Sequence, residues 1–225
     1  MPAAEVLPVP SGWDDAEALG LVLNWSTALA ALKPLGGIEP GDTVLVHAAA
    51  GGVGQAAVRL ARHYGARVIG TASPGKHGTV RALGADEVLD GARPGLAAEI
   101  VRLTGGVDLV LESVGRATFE ASLAVTKPFV GRIVVFGAAS GDAAVTTHEL
   151  VFAHQVQVKG LHIGALAAAV PSIYQSLLTE IEALIAQGVY PPGTPQVHPL
   201  ADGPAVLRDL EARQTSGKHA LDPWR

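Results

Sequence analysis

The chain has 225 residues, of which 48% are hydrophobic, and it carries a formal net charge of -5 with no cysteine. This length and apolar content allow a substantial core in one large or two small domains. The negative charge gives no general attraction for nucleic acid or anionic membranes, and the lack of cysteine excludes disulfides and thiolate metal sites. The first residues lack signal-peptide features and no apolar run approaches a membrane span. We therefore expect a cytoplasmic protein with no nucleic-acid or membrane partner.

A strand, a glycine-rich turn and a helix follow one another between residues 43 and 64. Residues 43–48 (TVLVHA) have the β-branched, apolar pattern of a buried parallel strand, and residues 53–64 have helical spacing with Gly65 at the C-terminal cap position. Between them, residues 49–54 fit G-x-G-x-x-G, except that Ala49 replaces the first glycine. Gly51 would admit a pyrophosphate and Gly54 would allow close helix packing. The alternative is a turn that only packs closely, but a second strand at 67–70 completes the expected β-α-β unit.

The end of that second strand indicates which dinucleotide is bound. Units that bind NAD usually carry an acidic residue about 20 residues after the fingerprint, where it holds the ribose 2'-hydroxyl. Residues 43–85 instead contain five basic residues and no Asp or Glu, and Thr71, Ser73 and Lys76 offer donors near the strand end. We therefore predict a local phosphate site that selects NADPH over NADH. The alternative interpretation is that Lys76 is an ordinary surface lysine.

Helices and strands alternate along the rest of the chain. The pattern predicts helices at 75–83, 96–104, 118–123, 172–187 and 204–213, and strands at 87–89, 107–111, 132–136, 155–161 and 218–221. Such alternation predicts a Rossmann-type α/β fold, a doubly wound parallel sheet of about six strands with helices on both faces. Residues 113–115 and 137–139 follow strands and are expected in the same crevice as Gly51. The predicted regions are a lead-in at 1–40, a dinucleotide-binding domain at 41–165 and C-terminal helices with a return strand at 166–225.

The motifs AAAGGVG, RVIGTAS, ALGADEVLD, VLESVG, RIVVFGAASG and GKHALDP occur in this order. Together they resemble the coenzyme-binding half of the medium-chain dehydrogenase/reductase superfamily, most closely its NADPH-dependent quinone oxidoreductase branch. The resemblance implies hydride transfer from NADPH to a quinone or an α,β-unsaturated carbonyl, without an obligatory acid-base side chain, so no catalytic residue is assigned. With the donors named above, the predicted cofactor-binding residues are Thr27, Ala50, Gly51, Gly52, Val53, Gly54, Thr71, Ser73, Lys76, Ser113, Val114, Gly115, Phe136 and Gly137.

One departure from the superfamily concerns zinc. Its zinc-dependent members place a cysteine ligand two residues before the aromatic that aligns with Trp25, and here that position is Leu23. Leucine cannot bind zinc, so the resemblance implies a zinc-independent protein. None of the eight histidines pairs convincingly with another ligand in the sequence, and we predict surface or core roles for them and no metal site.

A second departure concerns the start of the chain. Members of the superfamily begin with a separate barrel-like domain that supplies much of the substrate pocket, and this chain starts where that domain ends. We expect a fragment, a shortened reading frame, or a subunit completed by a partner chain, with an apolar patch exposed at the C-terminal return strand. The resemblance also implies a homodimer, paired at the strand predicted for 132–136. The alternative to a reductase is a non-catalytic NADPH-binding module.

Overall fold

A parallel sheet forms the centre of the computed structural model, which describes residues 7–225. Its six strands are β1 (Thr43–Val46), β2 (Arg67–Thr71), β3 (Glu87–Leu89), β4 (Leu109–Glu112), β5 (Arg132–Val135) and β6 (Gln157–Gly160). They lie in the order β3-β2-β1-β4-β5-β6, and each neighbouring pair is parallel. The predicted doubly wound α/β fold is therefore confirmed. The direction of winding reverses between β1 and β4, which is where such sheets bind ligands.

The α-helices of the described residues cover both faces of this sheet. They are α1 (Asp15–Ala18), α2 (Ser26–Ala30), α3 (Gly52–His63), α4 (His77–Ala82), α5 (Leu96–Thr104), α6 (Phe119–Val125), α7 (Ile163–Ala169), α8 (Pro171–Ala186) and α9 (Gly203–Glu211). π-Helical turns occur at Leu21–Trp25, Ala31–Leu35 and Glu149–His154, and 3-10 turns occur at Pro74–Lys76 and Leu200–Asp202. Gly65 and Gly105 follow α3 and α5 with φ of 81° and 73°, so glycine ends these helices in the left-handed region as the sequence predicts.

Two hydrophobic layers arise because side chains alternate between the faces of each strand. Val44, Val46 and Leu111 pack in the same cluster as residues of α2, α3 and α8. On the other face, Leu45 and Ile133 pack in a second cluster with residues of α5 and α6. Because both faces are covered, β1 is buried along its whole length, which is why its sequence is a continuous apolar run.

A continuous helical stretch at Asp15–Leu35 leads into the sheet. It is 21 residues long with a mean hydropathy of 1.2, so by length and composition alone it could cross a membrane, but 56% of it is buried inside the fold. Its central part, α2, packs against α3 and α8. These contacts are those of a core helix. The first six residues of the predicted lead-in lie outside the described residues.

A separate two-stranded parallel sheet lies near the C-terminus. It pairs β7 (Gln196–Pro199) with β8 (His219–Asp222). The final strand was predicted, but β7 was not, because residues 196–199 contain a proline and lack a clear alternation. Around this sheet the side chains of Val197, Leu200, Leu221 and Trp224 are exposed, but Val197 and Leu221 occupy consecutive register positions and so lie on opposite faces of the sheet. The single apolar patch expected beside the return strand stays a prediction.

Two sequence expectations about the main sheet are wrong in detail. The strand predicted at 132–136 is not an edge, because β6 pairs with β5 along its full length. Dimerisation by pairing at that strand is therefore excluded, and the free edge on this side is β6. The helix predicted at 75–83 is split into a 3-10 turn at Pro74–Lys76 and α4.

Candidate functional site

The turn between β1 and α3 lies at the reversal point of the sheet. Gly51 precedes α3 with an extended backbone and provides no side-chain cap. The first N–H groups of a helix have no acceptor within the helix, and the positive end of its dipole adds to their attraction for anions. The fingerprint residues Gly52, Val53 and Gly54 form the first turn of α3. The turn therefore offers the backbone donors that a phosphate group requires.

Close packing explains why glycine stands at two of these positions. A Cβ on Gly54 would lie 2.7 Å from Cα of Ala49 and would also overlap the carbonyl oxygen of Ala48. A Cβ on Gly52 would overlap the side-chain amide of Asn24, with Cγ of that residue 3.2 Å away. Ala48 itself has a positive φ of 49°, which bends the chain sharply after the strand. Gly54 thus lets α3 pack closely against the end of the preceding strand, and Gly52 lets it pack closely against Asn24.

The turns that follow β4 and β5 lie side by side. The backbone N–H of Ala139 donates to the carbonyl oxygen of Ser113 at 3.2 Å, and that of Ser140 donates to Val114 at 2.7 Å. A Cβ on Gly137 would lie 2.8 Å from the same Ser113 oxygen. The structure therefore brings together five of the predicted cofactor-binding residues, Ser113, Val114, Gly115, Phe136 and Gly137. A cleft of about 310 Å³ opens beside them and is lined by Gly115 and Gly137 among others.

A buried carboxylate holds the first of these turns. Glu112, at the end of β4, accepts hydrogen bonds from the backbone N–H groups of Val114 (2.7 Å) and Gly115 (3.0 Å). The hydroxyls of Thr118 and Ser122 also donate to it. A carboxylate with this many donors is well compensated for its loss of water. Glu112 thus fixes the backbone of the turn, a role that the sequence alone did not reveal.

His47 extends this polar network to the end of β2. Its Nδ1 lies 3.0 Å from Oγ1 of Thr71 and its Nε2 lies 3.1 Å from Oγ of Ser122. Burial lowers the pKa of His47, although the charge of Glu112 acts in the opposite direction. The imidazole is therefore neutral at neutral pH. The prediction of surface or core roles for histidines is compatible with this position, but it missed the contact with the network.

The hydroxyl of Thr71 does not face the predicted 2'-phosphate site. Thr71 is only 2% exposed, and its hydroxyl is engaged by His47 inside the fold. The expectation that this hydroxyl would donate to a cofactor phosphate is corrected accordingly. Ser73, two residues further on, is exposed beyond the strand end and remains a candidate donor.

Lys76 lies beside the C-terminal segment. Its Nζ donates to the carbonyl oxygens of Arg213 (2.8 Å) and Thr215 (2.5 Å). The same segment crosses the glycine turn, since the N–H of Gly217 donates to the oxygen of Ala50 at 2.9 Å. An ammonium group has three donors, so one remains for a phosphate. Lys76 is thus attached to the segment that crosses the glycine turn, although this segment is more than a hundred positions away in the sequence.

Two other residues of the basic stretch lie away from Lys76. Arg67 begins β2 at the opposite end of the strand and donates to the carbonyl oxygen of Leu103. Arg62 lies in the last turn of α3 and pairs with Asp86. The prediction that the basic stretch forms one local site is therefore wrong for Arg62 and Arg67.

Two histidines that are far apart in the sequence meet at the small C-terminal sheet. His198 Nε2 lies 3.0 Å from His219 Nδ1, and the two rings stack. The sequence did not predict this pair, because the two histidines are 21 positions apart. No group of three or more His, Cys, Asp or Glu side chains suited to a metal ion occurs among residues 7–225. The absence of a metal site stays a prediction.

This fold and the glycine turn at its reversal point define a dinucleotide-binding domain of the Rossmann type. The model of the zinc-binding dehydrogenase family matches residues 52–183, more than half of the chain. The chain therefore belongs to this family, and it corresponds to the coenzyme-binding half of the medium-chain dehydrogenase/reductase superfamily. The predicted resemblance is confirmed.

Similar proteins include both large synthases and smaller reductases. The spectinabilin polyketide synthase system protein NorB of Streptomyces orinoci is 39% identical over 220 residues, which are 96% of this chain but 10% of the relative. A mycobacterial structure in complex with NADPH has a TM-score of 0.92 and 34% identity, with 99% of this chain and 70% of that chain covered.

Two further structures represent two reductase classes. The Escherichia coli quinone oxidoreductase in complex with NADPH has a TM-score of 0.88 and 30% identity, with 96% of this chain and 68% of that chain covered. The CurK enoyl reductase has a TM-score of 0.85 and 31% identity, with 96% and 65% covered. The chain thus spans about a tenth of its polyketide synthase relative and about two thirds of these structures.

Proposed function

We propose that the chain is the NADPH-binding domain of a reductase that transfers hydride to an α,β-unsaturated carbonyl compound or a quinone. The observations that carry this proposal are the glycine turn at the reversal point, the contact of Lys76 with the segment that crosses this turn, and the lack of Asp and Glu in the sequence between residues 43 and 85. The relatives solved with NADPH support the same cofactor. An ammonium group favours the doubly charged 2'-phosphate, which distinguishes NADPH from NADH.

The proposed binding residues fall into three groups along the crevice. The N-terminal turn of α3 would hold the pyrophosphate, and Lys76 with Ser73 would hold the 2'-phosphate. Thr27 and the paired turns after β4 and β5 would lie on the nicotinamide side. When bound, NADPH supplies the hydride from its nicotinamide ring. The residues of this chain would position that ring and keep water away from it, which explains why no acid-base side chain is assigned.

An enoyl group is our preferred acceptor. The support is the similarity to polyketide synthases and to the CurK enoyl reductase. An enoyl thioester contains an α,β-unsaturated carbonyl group, which is the acceptor that the family resemblance implies. The similarity to quinone oxidoreductases supports a quinone as the second candidate. The two acceptors are alike in chemistry because both take a hydride at an electron-poor conjugated carbon.

A further domain or a partner chain would complete the substrate pocket. We propose that it docks beside β7 and β8, where the side chain of Trp224 is 92% exposed. Tryptophan is enriched at protein interfaces, where its large ring is buried by the partner. If the pocket depends on such a partner, the chain by itself would bind NADPH without turnover. The alternative of a non-catalytic NADPH-binding module makes the same prediction for the isolated chain. It differs in predicting that no NADPH is oxidised after the partner is added.

The experiment that tests this function has two stages. The first compares the thermal unfolding of the chain with NADPH and with NADH. At a ligand concentration 100 times the dissociation constant, we expect about 2.7 kcal/mol of added stability with NADPH. A lack of stabilisation by NADPH would refute the proposal. The second stage follows NADPH oxidation with a crotonyl thioester and with a benzoquinone, first for the chain alone and then after the partner is added. Turnover with the thioester supports the preferred acceptor, and turnover with the quinone alone supports the second candidate.

A further inference from the structure

We propose that Asn24 is an additional ligand of the cofactor, whose side-chain amide donates a hydrogen bond to the pyrophosphate. Asn24 precedes the glycine turn by more than 25 residues and belongs to the helical turn at Leu21–Trp25. This inference rests on the proposed function, because it requires a dinucleotide at the N-terminus of α3. It adds to that function a residue that the fingerprint does not contain.

The amide of Asn24 is buried without a partner. The residue is 8% exposed, yet its side chain has no hydrogen bond to any residue within 7–225. The side-chain polar atoms that are both fully enclosed and unpartnered in this part of the chain are Arg132 Nε and His219 Nε2. The Asn24 amide is not among them, so part of it is accessible from outside the fold. Buried polar side chains normally have a hydrogen-bond partner, so an unpaired and reachable amide indicates a site for a ligand.

The position of the amide identifies which ligand it would meet. A Cβ built on Gly52 would overlap Nδ2 of Asn24, whereas Oδ1 of the same amide would be 3.6 Å away. The donor end of the amide thus lies against the first residue of α3. The first N–H groups of the helix have no acceptor within it and would also face an anion bound at this place. A side-chain donor at this place adds to the backbone donors, and a pyrophosphate oxygen can accept several hydrogen bonds.

The neighbouring residues make the assignment specific to Asn24. Ser26, on the same helical stretch, is also buried, but its hydroxyl donates to the carbonyl oxygen of Leu21 at 3.3 Å. Ser26 is therefore satisfied by its own helix. Gly52 has no side chain that could come between the Asn24 amide and the turn. Asn24 is in addition the single asparagine of the chain, so its removal leaves no equivalent amide elsewhere.

The test compares Asn24→Ala with the control Ser26→Ala by titration with NADPH and with 2'-phospho-ADP-ribose, which contains the pyrophosphate but no nicotinamide. We expect Asn24→Ala to weaken both ligands by about tenfold to a hundredfold, the range for a hydrogen bond to a charged group. Ser26→Ala should change neither dissociation constant by more than about twofold. Circular dichroism without ligand checks that each variant is folded.

Asn24→Asp keeps the volume of the side chain and replaces its donor with a negative charge. We expect it to weaken both ligands more than Asn24→Ala does, because the carboxylate would repel the pyrophosphate. This variant decides the question if Asn24→Ala does not fold.

Other outcomes have distinct meanings. Unchanged affinities in both Asn24 variants, while the unaltered chain binds NADPH, would overturn the role of Asn24 and leave the proposed function intact. Weakening of NADPH alone would move the amide to the nicotinamide side and overturn the pyrophosphate assignment. If the unaltered chain bound neither ligand, the proposed function itself would fail.

Discussion

Nε2 of His47 lies 3.8 Å from Oε2 of Glu112, and neither side chain is exposed to solvent. The hydroxyl of Ser122 lies within hydrogen-bonding distance of both, 3.1 Å from the imidazole nitrogen and 2.7 Å from the carboxylate oxygen. Because Glu112 also accepts the N–H groups of Val114 and Gly115, this network links the end of β1 to the turn after β4. These two strands flank the reversal point of the sheet, so the network braces the floor of the proposed cofactor crevice.

The first prediction concerns the stability of the fold in acid. Burial lowers the pKa of His47 in the folded protein. The same imidazole is protonated near pH 6.5 in the unfolded chain, but only at a lower pH in the folded protein. Below that pH the unfolded state binds more protons than the folded state, and the free energy of unfolding therefore falls as the pH falls. For this one group the loss is at most about 1.4 kcal/mol for each pH unit below 6.5.

The variant His47→Gln separates this effect from the titration of other groups. Glutamine can hydrogen-bond to Thr71 and Ser122 but does not titrate, so the variant should lose less stability between pH 7 and pH 5 than the unaltered protein. Urea unfolding at both pH values measures the difference. Identical losses in the two proteins would show that His47 is not the acid-sensitive group.

The second prediction concerns cofactor choice. Lys76→Ala should weaken NADPH binding by roughly 1.5 to 3 kcal/mol and barely change NADH binding, because the lost ammonium would face the 2'-phosphate. Isothermal titration with both cofactors measures the two effects. Arg67→Ala is the matched control, since Arg67 is a basic residue of the same stretch at the other end of β2. Equal weakening of both cofactors would instead mean that Lys76 acts through the segment it holds, which contacts the glycine turn at Ala50.

The sequence predicted the elements of the sheet because their signals are local. Continuous apolar runs marked β1 and β4, helical spacing marked α3, and glycine at positions 65 and 105 marked helix ends. One error could have been avoided with the same local reasoning. Successive side chains in a strand point to opposite faces of the sheet, so Thr71 shares a face with Ile69. Ile69 packs in the same cluster as residues of α5 and α6. That alternation directs its hydroxyl into the fold and towards His47.

The remaining features of the site depend on contacts between distant parts of the chain. Lys76 meets the carbonyl oxygen of Thr215 at a separation of 139 residues. His47 meets Ser122 at a separation of 75 residues. No spacing in the sequence encodes such pairs, because they arise only when the sheet has assembled and its helices have packed. The Asn24 amide was missed for the same reason, since its proximity to Gly52 depends on how the lead-in helix packs on α3.

The third prediction compares two glycine-to-alanine changes with opposite expected signs. In Gly54→Ala the new methyl group would lie 2.7 Å from Cα of Ala49 and 2.9 Å from its carbonyl carbon, and backbone atoms cannot move aside cheaply. We expect a loss of about 1 to 3 kcal/mol in the free energy of unfolding. Gly78→Ala places a methyl group on α4 with no atom within 4 Å, and the better helix propensity should add about 0.5 to 1 kcal/mol.

Urea denaturation of the two glycine variants beside the unaltered chain gives both values. A neutral Gly54→Ala variant would mean that the turn can open without cost. The close packing between β1 and α3 would then not be the reason for glycine at that position.

The fourth prediction concerns self-association through β6. We propose that the chain forms a homodimer in which the β6 edges of two copies pair, because this edge is free and the nearby side chains of Phe129 and Phe152 are 76% and 72% exposed. The N–H of Gln157 donates to the carbonyl oxygen of Gly131, which precedes β5, and that of Leu161 donates to Val135 at the end of β5. Since donors alternate along a strand, the N–H of Val158 faces the free edge.

Val158→Pro therefore removes an edge donor without removing a hydrogen bond to β5, and proline is tolerated at such edge positions. Sedimentation velocity should find a dimer for the unaltered chain and for the control Val158→Ala, and a monomer for Val158→Pro. A dimer that survives the proline would place the contact elsewhere, and a monomeric unaltered chain at micromolar concentration would refute the pairing. Because β6 lies beyond β5, next to the proposed nicotinamide site, a pairing there would join the two sheets into one continuous sheet with one proposed site in each half.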